Sequence, residues 1–464
     1  MSTFSGLNTA SSALLAARLG LDLVGQNIAN QNTAGYTRQR VDTSAVGPTG
    51  VYSKHTTGVR AGEGVSIEGI NRIGDAVLDA RVRDALSVSG FWTTKATAAA
   101  AAENALAEPT TDGLAHKLSE FWAGFEDLAN SPDSVAAASA VLTSAHTITA
   151  QIAEGYRNVS DQWSQARAGV DRTVDTINAA ADQIAALNGT IRDVINAGGT
   201  PNELIDQRNL LAQNVARLSG ATGTVEKDGT LTLRVDGNPL VAGDKARHLV
   251  VDGPVSIEDG QPTTISWDGG TPAVIRSGEL GGQLETVAPN GVLANLADTY
   301  NRVATAVADK VNALHNTGVT TDGTAGGDFF ALAAGVPAAL GLSVVPTSRD
   351  EMALAAPGAG PLDATIADKI GAIGLTKDGP DAIWAEGVAA LAVSTAAEKA
   401  RASAAESSTV AATVAQQAVA AVDGDEETMN LLTFQTQYQA AARVLTAIDE
   451  ALDVLINRTG LVGR

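Results

Sequence analysis

The chain reads as mainly α with an inserted β-rich domain: coiled-coil-like helices at the termini, a long-helix bundle, and a nested multidomain rod overall. Three observations point there. Both ends carry apolar residues at alternating spacings of three and four, a helical pattern runs unbroken by proline from about 134 to 197, and alternating strand patterns are confined to the interior of the chain.

The first helix spans about residues 5–31. Leu7, Ala10, Leu14, Ala17, Leu21, Val24 and Ile28 put one continuous seam along it, the pattern of coiled coils and bundles. The polar run Asn27, Asn30, Gln31, Asn32 closes it, and Gly35 breaks the period. Asn27, Asn30 and Asn32 are expected to satisfy the last helical carbonyls, with Gly35 left-handed. Tyr36 and Arg38 are then expected to contact a neighbouring subunit. Residues 36–70 are richer in Gly, Thr and Val and read as extended segments and turns.

A second helical region begins near Asn71 and runs past the alanine-rich stretch 96–102. Pro109 interrupts it, and a shorter helix carries Leu114, Leu118, Phe121, Trp122, Phe125 and Leu128. Ser131-Pro132-Asp133-Ser134 supplies a turn and a helix start. On the long helix that follows, Ile152, Tyr156, Val159, Trp163, Val170, Val174, Ile177, Ile184, Leu187, Ile191 and Val194 line one broad face. At 1.5 Å per residue such a helix is roughly 90 Å long, a length that implies a bundle. Gly198-Gly199 stops it, and Pro201 through Leu218 restart a helix.

The character changes at Gly220. Leu231, Leu233 and Val235 alternate with polar residues between turn signals at Lys227-Asp228-Gly229 and Asp236-Gly237-Asn238-Pro239, which is hairpin patterning. The β reading extends to about Ile275. A helix returns at 290–316, strands are expected at Leu342–Val345 and around Met352–Ala355, and helix resumes over 383–421. After Asp423-Gly424 comes the last stripe: Leu431, Phe434, Tyr438, Ala441, Leu445, Ile448, Leu452 and Leu455. The expected domains are nested. Residues 1–60 with 424–464 form a terminal helical unit, 61–219 with 284–318 and 382–423 a bundle, and 220–283 with 319–381 a β-rich outer unit.

Composition excludes several functions. The 464 residues carry a formal charge of −21, which argues against nucleic acid, whose phosphates demand a basic surface. With no cysteine, thiolate metal sites, disulfides and thiol nucleophiles are ruled out. The five histidines at 55, 116, 146, 248 and 315 show no metal-ligand spacing. No phosphate-binding loop or Gly-x-Ser-x-Gly motif occurs, so no catalytic residue, cofactor or metal is expected. The N-terminus lacks the basic and apolar pattern of an ordinary secretory signal, and no stretch is expected to insert into a membrane.

What the apolar seams predict is assembly. An isolated helix is marginal in water, and burying one face offsets only part of the cost of ordering the chain. Both ends are therefore expected to be mobile in the free protein and to become ordered when subunits pack.

The stretch Asn27-Ile28-Ala29-Asn30-Gln31-Asn32-Thr33-Ala34-Gly35-Tyr36-Thr37-Arg38-Gln39-Arg40 closely resembles the N-terminal signature of the bacterial flagellar axial family of rod, hook and hook-associated proteins. Its Thr37-Arg38-Gln39 continuation sets it nearest the members that join hook to filament. Gly62-Glu63-Gly64-Val65, Ile70-Asn71-Arg72-Ile73, Asn202 through Arg208, Ser277 through Gly282, Asn312-Ala313-Leu314-His315 and Gly327-Asp328-Phe329-Phe330 continue the resemblance in order. Thr433-Phe434-Gln435 and Leu455-Ile456-Asn457-Arg458 close it.

The resemblance implies a non-enzymatic subunit exported by the flagellar type III apparatus. Its implied partners are further copies of itself in a ring, the hook protein, the next hook-associated junction protein, and an export chaperone that grips the C-terminal helix. In such proteins paired terminal helices line the central channel, the bundle surrounds them and β-rich domains lie outermost. The segment 331–383 is short beside longer relatives and leaves little room for a third exposed β domain. Two other readings stay open: another rod or hook subunit, or a secreted adhesin or enzyme that borrows flagellar export.

Overall fold

The computed structural model describes residues 3–47, 62–360 and 362–458; His55 lies outside them. The first helix, α1 (Thr3–Ala29), leads into an antiparallel ribbon of β1 (Gln39–Ala45) and β2 (Val65–Arg72). A bulge between Asp42 and Thr43 shifts the ribbon's register. Gly35 takes a left-handed φ of +79° at the turn between α1 and β1, a conformation that an L side chain rarely adopts. The ribbon runs back beside α1, where the Ser12 hydroxyl accepts from Val65 N at 3.3 Å.

Helices α2 (Ala76–Ala105), α3 (Leu114–Asn130), α4 (Val135–Asn196) and α5 (Asn202–Ser219) follow. Asp75 caps α2 by accepting from Val77 N and Leu78 N, and Ser134 caps α4 by accepting from Ala137 N. Both caps satisfy backbone donors that a helix start leaves open. The 62 residues of α4 span about 93 Å at 1.5 Å each. One window of this helix reaches the length and apolarity of a membrane span. Its large side chains, Val141, Ile148, Ile152 and Ile177 among them, are buried in the protein.

The small strands come next: β3 (Thr222–Val225), β4 (Leu231–Val235), β5 (Asn238–Ala242) and β6 (Lys245–Ala246) in one four-stranded sheet, then β7 (Leu249–Asp252), β8 (Thr264–Trp267) and β9 (Pro272–Ala273) in a three-stranded one. Every pairing is antiparallel. Helices α6 (Gly278–Val287) and α7 (Val292–His315) lead to a two-stranded ribbon of β10 (Phe330–Leu332) and β11 (Leu342–Val344), with the one-turn α8 (Ala338–Gly341) between them. After α9 (Thr365–Gly371) come α10 (Pro380–Ala420) and α11 (Gly424–Asp453).

The long α4 serves two separate cores. Its first half, from Ala138 to Trp163, packs with Phe121 and Phe125 of α3, Val303 and Val307 of α7, and Trp384 of α10. Its second half, from Val170 to Ala185, packs with Leu218 of α5 and with Leu233, Leu240, Ile265 and Trp267 of the small sheets. Trp163 is buried at the end of the first core and donates its indole N–H to the Val287 carbonyl at 3.0 Å.

Segments 220–283 and 319–381, expected as one β-rich unit, bury most of their large side chains in different cores, although Ile257 of the first packs against the core that holds Phe329 and Phe330. Phe329, Phe330, Leu342, Met352, Ile366 and Ile370 are buried in the helical core, because their bulk fills the space between α3, α4 and α7. The strand expected around Met352–Ala355 is absent: Ala355 makes a single bridge to Val319, and Ala353 N donates to His315 Nε2 at 2.8 Å instead of to a neighbouring strand. Finally, the glycine-rich run from Ser277 forms helix α6. Its small residues allow close packing on α2, where a Cβ at Gly282 would lie 2.7 Å from the Phe91 carbonyl oxygen.

Candidate subunit-packing surface

The two terminal helices pack on each other, antiparallel and in heptad register. A Cβ at Gly6 would meet Ile448 at 3.2 Å, and one at Gly20 would meet the Phe434 ring at 2.6 Å. Fourteen residues along α1 thus match fourteen residues back along α11. Seven further steps in each direction, Asn27 hydrogen-bonds Glu427. Equal steps in sevens are the mark of a coiled-coil seam, and the glycines let the helix axes approach where the partner presents a large side chain.

The predicted seam residues divide by size. Ala10, Ala17, Val24 and Ala441 are buried. Leu7, Leu14, Leu21, Leu431, Phe434, Leu445, Ile448 and Leu452 are half-buried. Ile28, Tyr438 and Leu455 are exposed. Leu23 is buried as well, a position that the strict three-and-four spacing missed. Beyond the seam, Leu15, Met429, Leu432 and Val444 are each at least half exposed. The pair closes on its small residues and leaves large apolar ones partly in water.

At the bundle end of the pair a polar network replaces the seam. Asn27 is buried and uses its amide fully. Its Oδ1 accepts from the Tyr36 hydroxyl at 2.8 Å and from Gln39 N at 3.1 Å. Its Nδ2 donates to the Gln39 carbonyl at 2.9 Å and to Glu427 Oε2 at 3.2 Å. Arg38 donates to Glu427 at 2.7 Å and to Glu426 at 2.6 Å, while its backbone N–H reaches the Ala420 carbonyl at 2.9 Å. Asp423 caps α11 by accepting from Asp425 N and Glu426 N.

This network departs from the expected capping by the asparagines. Of the three asparagines, Asn30 alone bonds a last-turn carbonyl, that of Gln26, at 3.0 Å; Asn27 turns to β1, and Asn32 is exposed. Tyr36 and Arg38, which the sequence offers to a neighbouring subunit, also bond within their own chain, to Asn27 and to Glu426 and Glu427. The reason is antiparallel folding, which returns the acidic start of α11 to the end of α1.

A second motif joins from α5. Asp206 accepts from Thr37 N at 3.1 Å and pairs with Arg72 at 2.5 Å. Glu203 accepts from Gln26 and Gln39, and Asn202 donates to Gln39 Oε1 and the Ile70 carbonyl. Burial pushes the Tyr36 hydroxyl up to about 12, helped by the Glu203, Asp206 and Glu427 charges, so it stays a donor at neutral pH. Burial also raises the Asp206 carboxyl, against the pull of Arg72 and Thr37. Arg208 is fully buried, donates to Asn188 and to the Gly229 carbonyl, and is lowered by burial to about 10. Among the described residues no group of three His, Cys, Asp or Glu side chains could hold a metal ion.

An antiparallel terminal pair clamped by hydrogen bonds to a helical bundle is the architecture of a structural subunit. The family model described as the flagellar hook-associated protein FlgK helical domain matches residues 99–330. The terminal helices match models described as flagella basal body rod protein, over 7–37, and flagellar basal body rod FlgEFG protein C-terminal, over 416–458. Flagellar hook-associated protein 1 of Bacillus subtilis (strain 168) is 29% identical over 513 residues, covering 100% of both chains. That of Escherichia coli (strain K12) is 30% identical, covering 72% of this chain and 61% of the relative. The solved structure of the flagellar hook junction protein FlgK from Burkholderia pseudomallei shares the fold, with a TM-score of 0.64 at 15% identity, covering 73% of this chain and all of the other. The chain belongs to the flagellar hook-associated protein FlgK family. Its role is structural and flagellar, and its relatives are not enzymes.

Proposed function

We propose that this subunit builds the junction between flagellar hook and filament by packing its terminal helix pair against further copies of itself in a ring. The hook protein lies on one side and the next hook-associated junction protein on the other. The chain is exported through the flagellar type III apparatus, with a chaperone holding the C-terminal helix on the way. One observation carries the reading: the α1–α11 pair leaves Leu15, Leu432 and Val444 half exposed or more in a single copy. Large apolar side chains on a helical pair call for a further apolar surface. The packing residues are then Leu7, Leu14, Leu21, Ile28, Leu431, Phe434, Tyr438, Leu445, Ile448, Leu452 and Leu455, with the polar cluster Asn27, Asn30, Asn32, Gly35, Tyr36 and Arg38 beside them.

Electron microscopy of flagella from a deletion strain tests this. Hooks without filaments are expected, with filaments restored by the intact chain. Full-length filaments on the deletion strain would overturn the reading.

A further inference from the structure

Each of the four sheets among the described residues is tied to a helix in the same way, through one asparagine side chain. Asn27 of α1 accepts from Gln39 N at 3.1 Å and donates to the Gln39 carbonyl at 2.9 Å. Asn188 of α4 does the same at Leu231, at 2.9 Å for both bonds, and Asn178 of α4 at Leu249, at 2.8 and 2.9 Å. Asn312 of α7 does it at Phe330, at 2.9 and 2.7 Å. The four targets are the first residues of β1, β4, β7 and β10, one strand in each sheet.

Asparagine is a poor interior residue for a helix, because its amide competes for backbone partners, so its use here needs a reason. The amide makes the two-bond ring that a residue of a facing antiparallel strand makes. It does so only while that residue's N–H and C=O point at the helix. Moving the strand by one residue turns both away and carries every side chain to the other face. Strands as short as β7 and β10, with four and three residues, have few ladder bonds of their own to fix the frame. Yet Leu231, Leu249 and Phe330 must each reach a buried position. We infer that these asparagines set the register of the four sheets, each helix presenting a stand-in for a strand edge, so that a sheet is completed only on a helix already formed. Helices form from local contacts sooner than hairpins, which puts the amides in place before the strands arrive. The inference stands independently of the assembly role of the terminal helices.

Hydrogen exchange on the full chain, pulsed during refolding and followed in the native state, tests it. Asn178→Asp and Asn312→Asp keep the size of the side chain but turn an oxygen toward the Leu249 or Phe330 carbonyl in place of the amide donor. Asn178→Asp should speed native exchange in β7 and β8 about tenfold or more, as loss of two hydrogen bonds requires, and Asn312→Asp should do so in β10 and β11. Each should delay protection of its own sheet during refolding, with α4 and α7 protected first and unchanged. Asn158→Asp, at an exposed position of α4, should alter neither sheet. Where an aspartate variant fails to fold, Asn178→Ala or Asn312→Ala removes both bonds without adding charge and takes its place. Strand protection unchanged in both variants, exchange speeded equally across the whole chain, or sheets protected before their helices would overturn the inference.

Discussion

The side-chain amide of Asn27 donates to the Glu427 carboxylate at 3.2 Å, joining residues 400 positions apart. Glu427 is 1% exposed, and Arg38 supplies its counter-charge at 2.7 Å. One buried carboxylate therefore ties together the first helix, the segment leading into the first strand and the last helix.

Arg38→Met should leave that carboxylate buried with only the Asn27 amide for company. Breaking a buried ion pair from one side costs about 3 kcal/mol. The loss should be confined to the terminal pair, read as faster hydrogen exchange over residues 20–30 with the α4 core unchanged. Unaltered protection of α1 would contradict this assignment.

Two glycines of α1 should respond oppositely to alanine. At Gly25 nothing lies within 4 Å of an added Cβ, so Gly25→Ala should stabilise the helix by about 1 kcal/mol through propensity. At Gly20 the Phe434 ring is 2.6 Å away, and overpacking of about 1–3 kcal/mol should cancel or reverse that gain. Local exchange rates in α1 distinguish the two variants.

His315 is 1% exposed and bonded at both ring nitrogens, Nδ1 to the Gly327 carbonyl at 2.6 Å and Nε2 from Ala353 N at 2.8 Å. Only the neutral ring can do both. Burial lowers its pKa below the ordinary 6.5 despite the Gly327 carbonyl and Asp328. A folded value below the unfolded one means that the stabilisation is complete above about pH 6.5 and is lost as pH falls toward the folded value. The melting-temperature advantage of the native chain over His315→Gln should accordingly shrink on acidification from pH 7 to 5. An advantage independent of pH would contradict the neutral-ring assignment.

Leu445→Asp places a charge on a half-buried position of the terminal seam. Both cores lie elsewhere, so the melting transition of the bundle should stay within about 0.5 kcal/mol of native. Packing between copies should fail, because an unpaired charge cannot be buried there. Filaments of normal length on cells carrying only this variant would contradict the seam's role.

Much of this was legible beforehand because periodicity and local signals determined it. The long helix, expected over 134–197, runs Val135–Asn196, and Gly35 is left-handed as its place after the asparagine run implied. Helix α6 was not legible, because Gly278, Gly281 and Gly282 are turn-like in isolation; close approach to Leu218 and Gly220 explains the first, and packing on Phe91 and Thr94 the other two. The assignment of 319–381 to the helical core was hidden for a similar reason: Phe329 and Phe330 look the same beside a sheet or a bundle. The Asn27–Arg38–Glu427 network depends on contacts across nearly the whole chain, and no local pattern announces those. Asn202, Glu203 and Asp206 stood out as a motif, but their target in the Thr37–Gln39 turn became visible only in three dimensions.

The antiparallel pairing has a temporal consequence. Ribosomes deliver α1 first and α11 last. At about 5–20 residues per second, the intervening 400 or so residues separate the two by roughly 20–80 s. Throughout that interval Gly6, Gly20 and Asn27 face empty space where Ile448, Phe434 and Glu427 will later sit. A chain cut short anywhere before Gly424 never closes its own first helix, so the pairing of α1 waits until synthesis has passed Glu427, Phe434 and Ile448.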